Sequence, residues 1–578
     1  MRKIGGKPVG ALAGLVILTF ICPVACRRGP QPSPELQSLL AADTLDRQVG
    51  DAEVRAAVRA FYTETGATLA WSRSKPTKVA DKALAALGSA REHGLDPYAY
   101  QFAGLIAERD ALARKPKAER RQALAVFDVR LTAALVRLGR DVAVGRLDPR
   151  AVDRRWKAQR AMPNLAATLA ASRDDPDEFL TAIQPRHLEY AALKRGLAAL
   201  YGVEAKGGWP VVRSVAVKPG ASHPLVAGLR KRLAASGDLG DAPVEGNRFD
   251  APLGNALRQF QEHHGLPATG RLDPKTLAVL NLPLEMRIRQ LALNLERWCW
   301  LPDDLGDRHF RVNIPYFHLE AYEQGNLVLD IRAVVGKQGN ETPIFSERMT
   351  HVVMSPYWNI PPKIAADETM PAVSADLGYL DRQNIEVVRV SGGEPAVVDP
   401  STLDWSDDGA LEGLRFRQRP GASNALGFVK FMFPNEYDVY VHDTPAEALL
   451  SRLGRAFSHG CVRVEEPFEL AKYVLRDQSR WTPDAIQTAM HAGTETHVKL
   501  REAIPVHIVY FTSWVDLKGG LHFRDDVYGY DAKQDAATTT AQARRRQGAK
   551  PKSKDDARRP RPEASVRPLE ARAAASGG

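Results

Sequence analysis

The chain has 578 residues, 44% hydrophobic and 26% charged, with a formal net charge of +10. That length exceeds what one hydrophobic core supports and calls for roughly three or four domains, while the composition excludes a fibrous or wholly disordered chain. The charge alone suggests nucleic acid, but residues 531–578 hold 12 Lys/Arg against 6 Asp/Glu and so carry +6 of it; the rest is mildly basic, has no nucleic-acid motif, and a basic tail suits anionic phospholipid or wall polymer equally well.

At the N-terminus Arg2, Lys3 and Lys7 flank or precede an uncharged run from Pro8 to Ala25 that contains Leu15-Val16-Ile17-Leu18. A charged segment followed by a short apolar one is how a secretory signal is built, so residues 1–26 are expected to direct export to the periplasm or cell envelope. Pro23-Val24-Ala25-Cys26 resembles a bacterial lipobox with Pro23 where leucine is expected. Lipidation of Cys26, a plain cleaved signal and an uncleaved membrane anchor are therefore all open. Cys22 and Cys26 belong to the leader, which leaves Cys299 and Cys461 in the body. Pairing them would consume a thiol, so Cys299 is expected buried and unpaired within Trp298-Cys299-Trp300.

Residues 27–50 are polar and predict a linker. Residues 51–215 predict an all-helical scaffold, because apolar residues recur at three- and four-residue spacing in Lys82–Arg91, Arg120–Leu138 and Tyr190–Tyr201. Residues 220–283 predict three short helices, around Leu225/Leu229/Leu233, Ala256–Gln261 and Thr276–Asn281, with glycine turns at Gly265 and Gly270. The run Phe260-Gln261…Gly265-Leu266…Gly270…Thr276…Leu280-Asn281 resembles the three-helix peptidoglycan-binding domain; a helical spacer without a ligand is the alternative. From 308 to 515 β-branched runs separated by Pro/Gly/Asn turns predict a mostly-β domain. Residues 365–420 interrupt it with partly helical sequence, long enough for a small subdomain. Residues 531–578 lack periodicity and predict disorder. The expected fold class is thus multi-domain α + β.

The chemistry lies in Tyr440-Val441-His442-Asp443 and Ser458-His459-Gly460-Cys461-Val462-Arg463. A thiol becomes a useful nucleophile when a neighbouring imidazole takes its proton, which points to Cys461 as nucleophile and His442, ending the last strand, as base. Gly460 would let backbone approach a substrate, the Cys461 N–H could face an oxyanion, and Arg463 and Lys430 could hold a substrate carboxylate. Cysteine plus two histidines could instead bind zinc, with Asp443 completing the set, although the spacing is unlike the usual clusters.

His442 followed by Ser458-His459-Gly460-Cys461-x-Arg463 resembles the catalytic motif of the YkuD-type L,D-transpeptidases. Glu296-Arg297-Trp298, Thr342-Pro343, Asn359-Ile360-Pro361-Pro362, Pro420-Gly421, Asn424-Ala425-Leu426-Gly427, Phe433-Pro434-Asn435, Gly145–Pro149 and Gln184-Pro185 extend the resemblance to the large Gram-negative branch. That branch combines a scaffold, a peptidoglycan-binding domain and a catalytic domain with a capping subdomain. The resemblance implies Cys461 as nucleophile, His442 as base, Tyr440 and the Gly460–Cys461 backbone as oxyanion donors, and Ser458, His459 and Arg463 shaping the acyl-donor site. Asp443 stands where many members have Gly or Ser, which leaves open the group that orients His442. The implied reaction joins peptidoglycan stem peptides by 3→3 cross-links through a thioester, without cofactor or metal, alongside other cell wall synthases. Competing readings are hydrolysis at the same site, attachment of an envelope protein to the wall, and a non-catalytic wall binder.

Overall fold

A computed structural model describes residues 32–213, 218–391, 394–405 and 413–548. The leader with Cys22 and Cys26, and the tail beyond 548, lie outside the described residues.

The scaffold is helical as expected, built around the 28-residue helix Lys117–Val144, whose Phe127, Leu131, Leu135 and Leu138 are buried. Its Asp128 is fully buried and accepts hydrogen bonds from the Ala70 and Trp71 N–H groups and the Tyr62 hydroxyl at 2.8–2.9 Å. Burial still pushes that carboxyl up to about 6. The linker expected at 27–50 is not one where it is described. Helices Pro34–Leu40 and Ala42–Gln48 bury Leu36, Leu39 and Leu45, with Val49 behind them, in the scaffold core. The polar residues between these leucines hid a narrow apolar stripe.

Next come helices Val226–Ser236, Ala251–His263 and Pro274–Leu280, around a small core of Leu229, Leu233, Leu253, Leu257 and Phe260. Gln261 is fully buried and knits this unit together. Its amide nitrogen donates to the Arg271 carbonyl (2.9 Å) and Thr276 (3.1 Å), and its oxygen accepts from the Gly270 N–H (2.8 Å). A Cβ on Gly270 would lie 2.9 Å from the Gly254 carbonyl, at φ +65°.

Helix Leu284–Trp298 then leads into the β-domain. Its strands are β1 (Arg308–Asn313), β2 (His318–Glu323), β3 (Asn326–Gly336), β4 (Ser346–Met354), β5 (Trp358–Asn359), β6 (Ile385–Ser391), β7 (Glu394–Val398), β8 (Leu414–Gln418), β9 (Val429–Met432), β10 (Val441–His442), β11 (Ala456–Ser458), β12 (Val462–Val464), β13 (Thr496–Val509), β14 (Ser513–Val515) and β15 (Leu521–Phe523). Nine of them form one mixed sheet in the order β11-β3-β12-β10-β9-β4-β13-β1-β2, and a further β2–β3 pairing brings its ends together. β5, β8, β6 and β7 form a separate four-stranded sheet with its own small core around Ile360, Val373, Leu380 and Phe416. The insertion is thus a subdomain, as expected, and its sheet begins at Trp358. β14 and β15 make a hairpin that runs past the expected end at 515.

The described part of the tail also departs from expectation. Residues Tyr530–Gly548 are helical, not disordered. No apolar stripe marks this helix; polar groups dock it. Asp531 lies 2.6 Å from the buried Arg297 guanidinium, and Gln534 accepts from Arg297 Nε (2.9 Å) and donates to Glu296 (3.3 Å). Glu296 in turn takes the Arg146 side chain and the Arg146 and Leu147 N–H groups from the scaffold. Breaking a buried charge pair costs about 3–5 kcal/mol. A chain ending at Gly529 should therefore lose stability of that order and show a lower Tm in calorimetry; an unchanged Tm would mean that the helix contributes nothing.

Candidate functional site

β10 pairs antiparallel with β9 and parallel with β12, so that His442 lies opposite Lys430 on one side and Arg463 on the other. The Val462 N–H donates to the Tyr440 carbonyl at 3.1 Å, which carries the alignment back to Tyr440 and Cys461. Side chains alternate along extended chain, so Tyr440, His442, Cys461 and Arg463 project from one face. The site therefore assembles in mid-sheet. β10 is not the last strand; β11, β12 and β13 follow it.

His442 is buried, and its Nδ1 lies 2.5 Å from the Asp443 carbonyl oxygen. A carbonyl can only accept, so Nδ1 carries the proton and Nε2 is the basic nitrogen. The orienting group is thus backbone, not the Asp443 carboxylate. That carboxylate accepts instead from the Phe428 N–H (2.8 Å) and Thr444 N–H (2.6 Å). It occupies the space beside Gly427, where a Cβ would fall 2.2 Å from Oδ2 at φ +60°.

Burial pushes the His442 imidazole down to about 3, helped by the nearby Arg463 and Lys430 charges. Burial also pushes the Cys461 thiol up to about 11, against the lowering effect of Tyr440 and Arg463. Both shifts disfavour the charged form, so the resting pair is expected as thiol and neutral imidazole. The Cys461 sulfur lies 3.7 Å from the Asp438 carbonyl, and Asp438 adopts φ +53°, uncommon for a residue with a side chain. Burial pushes the Tyr440 hydroxyl well above its usual range, and Cys461 and Trp358 of the inserted subdomain are among the groups that act on it.

Ser458 is buried and acts on the loop itself: its hydroxyl donates to the Cys461 carbonyl (2.6 Å) and accepts the Gly460 N–H (3.1 Å). Gly460 has φ +124°, while a Cβ there would meet nothing closer than the Asn340 carbonyl at 4.0 Å. Conformation, not crowding, requires glycine. His459 turns away from Cys461 towards the inserted subdomain, with Nε2 3.0 Å from Glu368. With His459 and the Asp443 carboxylate both engaged elsewhere, the zinc reading loses two of its ligands. Arg463 Nε is buried with no hydrogen-bond partner among the described residues. Lys430 lies 3.9 Å from Glu495.

Two residues escaped sequence reasoning. The Thr342 hydroxyl accepts the Gly336 N–H (2.8 Å) and donates to the Gly460 carbonyl (2.7 Å). The Tyr528 hydroxyl donates to the Gly336 carbonyl (2.6 Å) and accepts the Thr342 N–H (3.3 Å). Thr342 was visible as part of Thr342-Pro343 but without a role; Tyr528 lay beyond the expected domain end. Cys299 is buried and unpaired, as expected, with its thiol 3.3 Å from the Val142 carbonyl.

Comparison with known proteins bears on these observations. Residues 307–506 match the profile of the L,D-transpeptidase catalytic domain (YkuD), residues 222–280 that of a peptidoglycan binding domain, and residues 56–197 that of a Scaffold domain. A protein of Haemophilus influenzae named as an L,D-transpeptidase is 35% identical over 243 residues, 42% of this chain and 48% of its own. Metalloendoproteinase 1-MMP of Arabidopsis thaliana is 38% identical over 111 residues, 19% of this chain and 26% of its own. The chain thus spans half or less of the curated relatives it matches. Among solved structures, the L,D-transpeptidase of Stackebrandtia nassauensis is 13% identical with a TM-score of 0.21, covering 52% of this chain and 96% of that one. The domain that holds Cys461 and His442 is a YkuD-family L,D-transpeptidase catalytic domain, and this chain joins it to a Scaffold domain and a peptidoglycan-binding domain.

Proposed function

We propose that the chain is a cysteine-dependent L,D-transpeptidase of the cell envelope that forms 3→3 cross-links between peptidoglycan stem peptides. The observation that carries this reading is the single-face array of Tyr440, His442, Cys461 and Arg463, with His442 Nδ1 tied to the Asp443 carbonyl.

The donor is a stem tetrapeptide, cleaved at the bond after the L-centre of its diaminopimelate residue. As the Cys461 sulfur attacks that carbonyl, His442 Nε2 takes the thiol proton. The Cys461 N–H and the Tyr440 hydroxyl stabilise the tetrahedral oxyanion, where one good donor is worth roughly 3–4 kcal/mol. The Gly460 N–H is already given to Ser458, so it takes no part. Collapse breaks the peptide bond, and the His442 imidazolium protonates the departing D-alanine amine. The side-chain amine of a second stem then attacks the thioester and loses a proton to His442. The thiolate leaves and recovers that proton. Arg463, with its Nε unpartnered, suits a carboxylate of the donor. Ser458 and Thr342 act as positioning residues, because both hold the loop backbone.

The peptidoglycan-binding domain supports a wall polymer as the partner of the whole chain, and hence an envelope location. No helix among the described residues is long and apolar enough to cross a membrane. Attachment at the N-terminus therefore rests on the leader and Cys26.

The decisive experiment mixes residues 32–548 with purified disaccharide-tetrapeptide and follows products by mass spectrometry. A dimer lacking one D-alanine, absent with Cys461→Ala, is expected. Tripeptide alone would replace transpeptidation with hydrolysis, and no turnover would favour protein attachment or a binding role.

A second prediction concerns the resting protonation state. With the thiol at about 11 and the imidazole at about 3, the thiolate population grows with pH throughout the neutral range. Iodoacetamide alkylation of Cys461 should therefore keep accelerating through pH 9, about tenfold per unit. A plateau beginning near pH 6 would reveal a thiolate–imidazolium pair and overturn the neutral one.

Thr342→Val keeps the side-chain shape and removes the hydroxyl that links Gly336 to Gly460. Misplacement of a reacting group by about 1 Å costs on the order of 100-fold. Turnover should fall by roughly 10- to 100-fold in kcat, with KM and the circular dichroism spectrum close to those of the parent.

A further inference from the structure

Helix Ala251–His263 of the peptidoglycan-binding domain ends against the β14–β15 hairpin of the catalytic domain. His263 Nδ1 lies 2.6 Å from Oδ1 of Asp238, a buried carboxylate. That contact places the ring proton on Nδ1 and leaves Nε2 with a free lone pair, directed at the hairpin. Nε2 is 4.0 Å from Asp516 Oδ2, and the same oxygen is 2.9 Å from His522 Nε2. The His263 and His522 ring centroids are 4.7 Å apart. One ligand atom from each of the three side chains lies within 4.8 Å of the others.

The surroundings fit a cation. Asp516 Oδ1 accepts the Lys518 and Gly520 N–H groups, both at 2.8 Å, which fixes the carboxylate and turns Oδ2 towards the two imidazoles. A Cβ on Gly520 would sit 2.6 Å from His263 Nε2 and 2.9 Å from Asp516 Oδ2. Glycine thus keeps the space between these two groups clear. The second nitrogen of His522, Nδ1, is buried with no partner among the described residues, so internal hydrogen bonding satisfies only half of that ring. Asp238 and Asp516 together balance a divalent charge. Arg524 is the nearby cation; it donates to the His263 carbonyl (2.9 Å) and its guanidinium lies over the Trp514 and Tyr316 rings. His264, the next residue, stacks on Phe260 with Nδ1 near that residue's carbonyl, and stands apart from the cluster.

We propose that His263, Asp516 and His522 form a binding site for a zinc-class divalent cation that clips the peptidoglycan-binding domain to the catalytic domain. Two imidazoles and one carboxylate are the donor set of a three-ligand zinc site with a fourth position for water. Tetrahedral zinc with bonds of about 2.0–2.1 Å needs ligand atoms about 3.3 Å apart, so His263 Nε2 closes on Asp516 by about 0.7 Å and the widest gap in the triad by up to about 1.5 Å. Asp238 holds His263 in the way that carboxylates behind metal-bound histidines do. The ion would tie two sequence-distant elements without touching Cys461.

The test uses residues 32–548, free of any affinity tag and carrying Cys461→Ala so that the thiol cannot compete for metal. The protein is stripped with chelator, titrated with zinc alone by calorimetry, and assayed for retained metal after dialysis. One equivalent bound at micromolar zinc, with a raised Tm, is expected. Asp516→Asn, which preserves the hairpin's shape, should weaken binding at least tenfold, and Asp238→Asn about 10- to 100-fold. Cobalt(II) should give the visible absorption of a four-coordinate N/O site, lost in His522→Gln. No zinc binding by the parent would overturn the proposal whether or not any variant folds, and so would binding that Asp516→Asn and His522→Gln leave unchanged.

Discussion

Adjacent charges on one helix turn, Glu296 and Arg297, hold this molecule together. Both are almost wholly buried, and ions placed there survive only if paired and hydrogen-bonded. Each is answered by a different part of the chain. Glu296 takes Arg146 and two backbone N–H groups from the scaffold; Arg297 takes Asp531 and Gln534 from the C-terminal helix and donates to the Tyr510 carbonyl at 3.1 Å. Gly145 belongs to the same joint, since a Cβ there would lie 2.7 Å from Trp300 Nε1. Such a joint tolerates no slack. Withdrawing any one segment strands a charge in the interior, so scaffold, connecting helix and C-terminal helix each stabilise the docking of the others.

That docking reaches Cys461, the proposed nucleophile, through hydrogen bonds. The C-terminal segment, fixed by Asp531, carries Tyr528, whose hydroxyl binds both Gly336 and Thr342, and Thr342 holds the carbonyl of Gly460. The scaffold joins the C-terminal segment there, since Asp153, paired with Arg155, accepts the Tyr530 hydroxyl. Arg155 donates to the Glu341 carbonyl at 3.2 Å, and its own carbonyl accepts the Tyr437 hydroxyl at 3.1 Å. The loop that presents Cys461 is therefore gripped from behind by two distant parts of the chain. The inserted subdomain meets the same loop through Glu368, which pairs with His459.

How much of this was legible in the sequence follows from the range of each interaction. Cys461, His442, Tyr440 and Arg463 could be read because their chemistry is local and their spacing matches one sheet pairing. The peptidoglycan-binding unit could be read because Gln261, Gly270 and Thr276 satisfy one another within sixteen residues. Helix Tyr530–Gly548 could not, because what folds it is Arg297, more than two hundred residues earlier, and not an apolar stripe of its own. The helices at 34–48 were missed for the opposite reason: their stripe exists but is only a few leucines wide. Asp443 seemed a departure from pattern at a catalytic position. It is a local device, spanning β10 and the Gly427 turn, and the lone backbone carbonyl of the same residue does the orienting.

The neutral resting pair follows from this construction. Full burial of His442 and partial burial of Cys461 disfavour the charged form of each, and the cations Arg463 and Lys430 further oppose an imidazolium. A stored thiolate would react with any electrophile in the envelope, and a free one would be oxidised readily. In the proposed mechanism, proton transfer stays unfavourable until a carbonyl sits where the Cys461 N–H and Tyr440 hydroxyl can take up the developing negative charge. On that proposal the S–C bond and the oxyanion form in one step, and the donors proposed for that oxygen supply what the burial withholds. On this proposal, selectivity for substrate arises from the same desolvation that holds the site rigid.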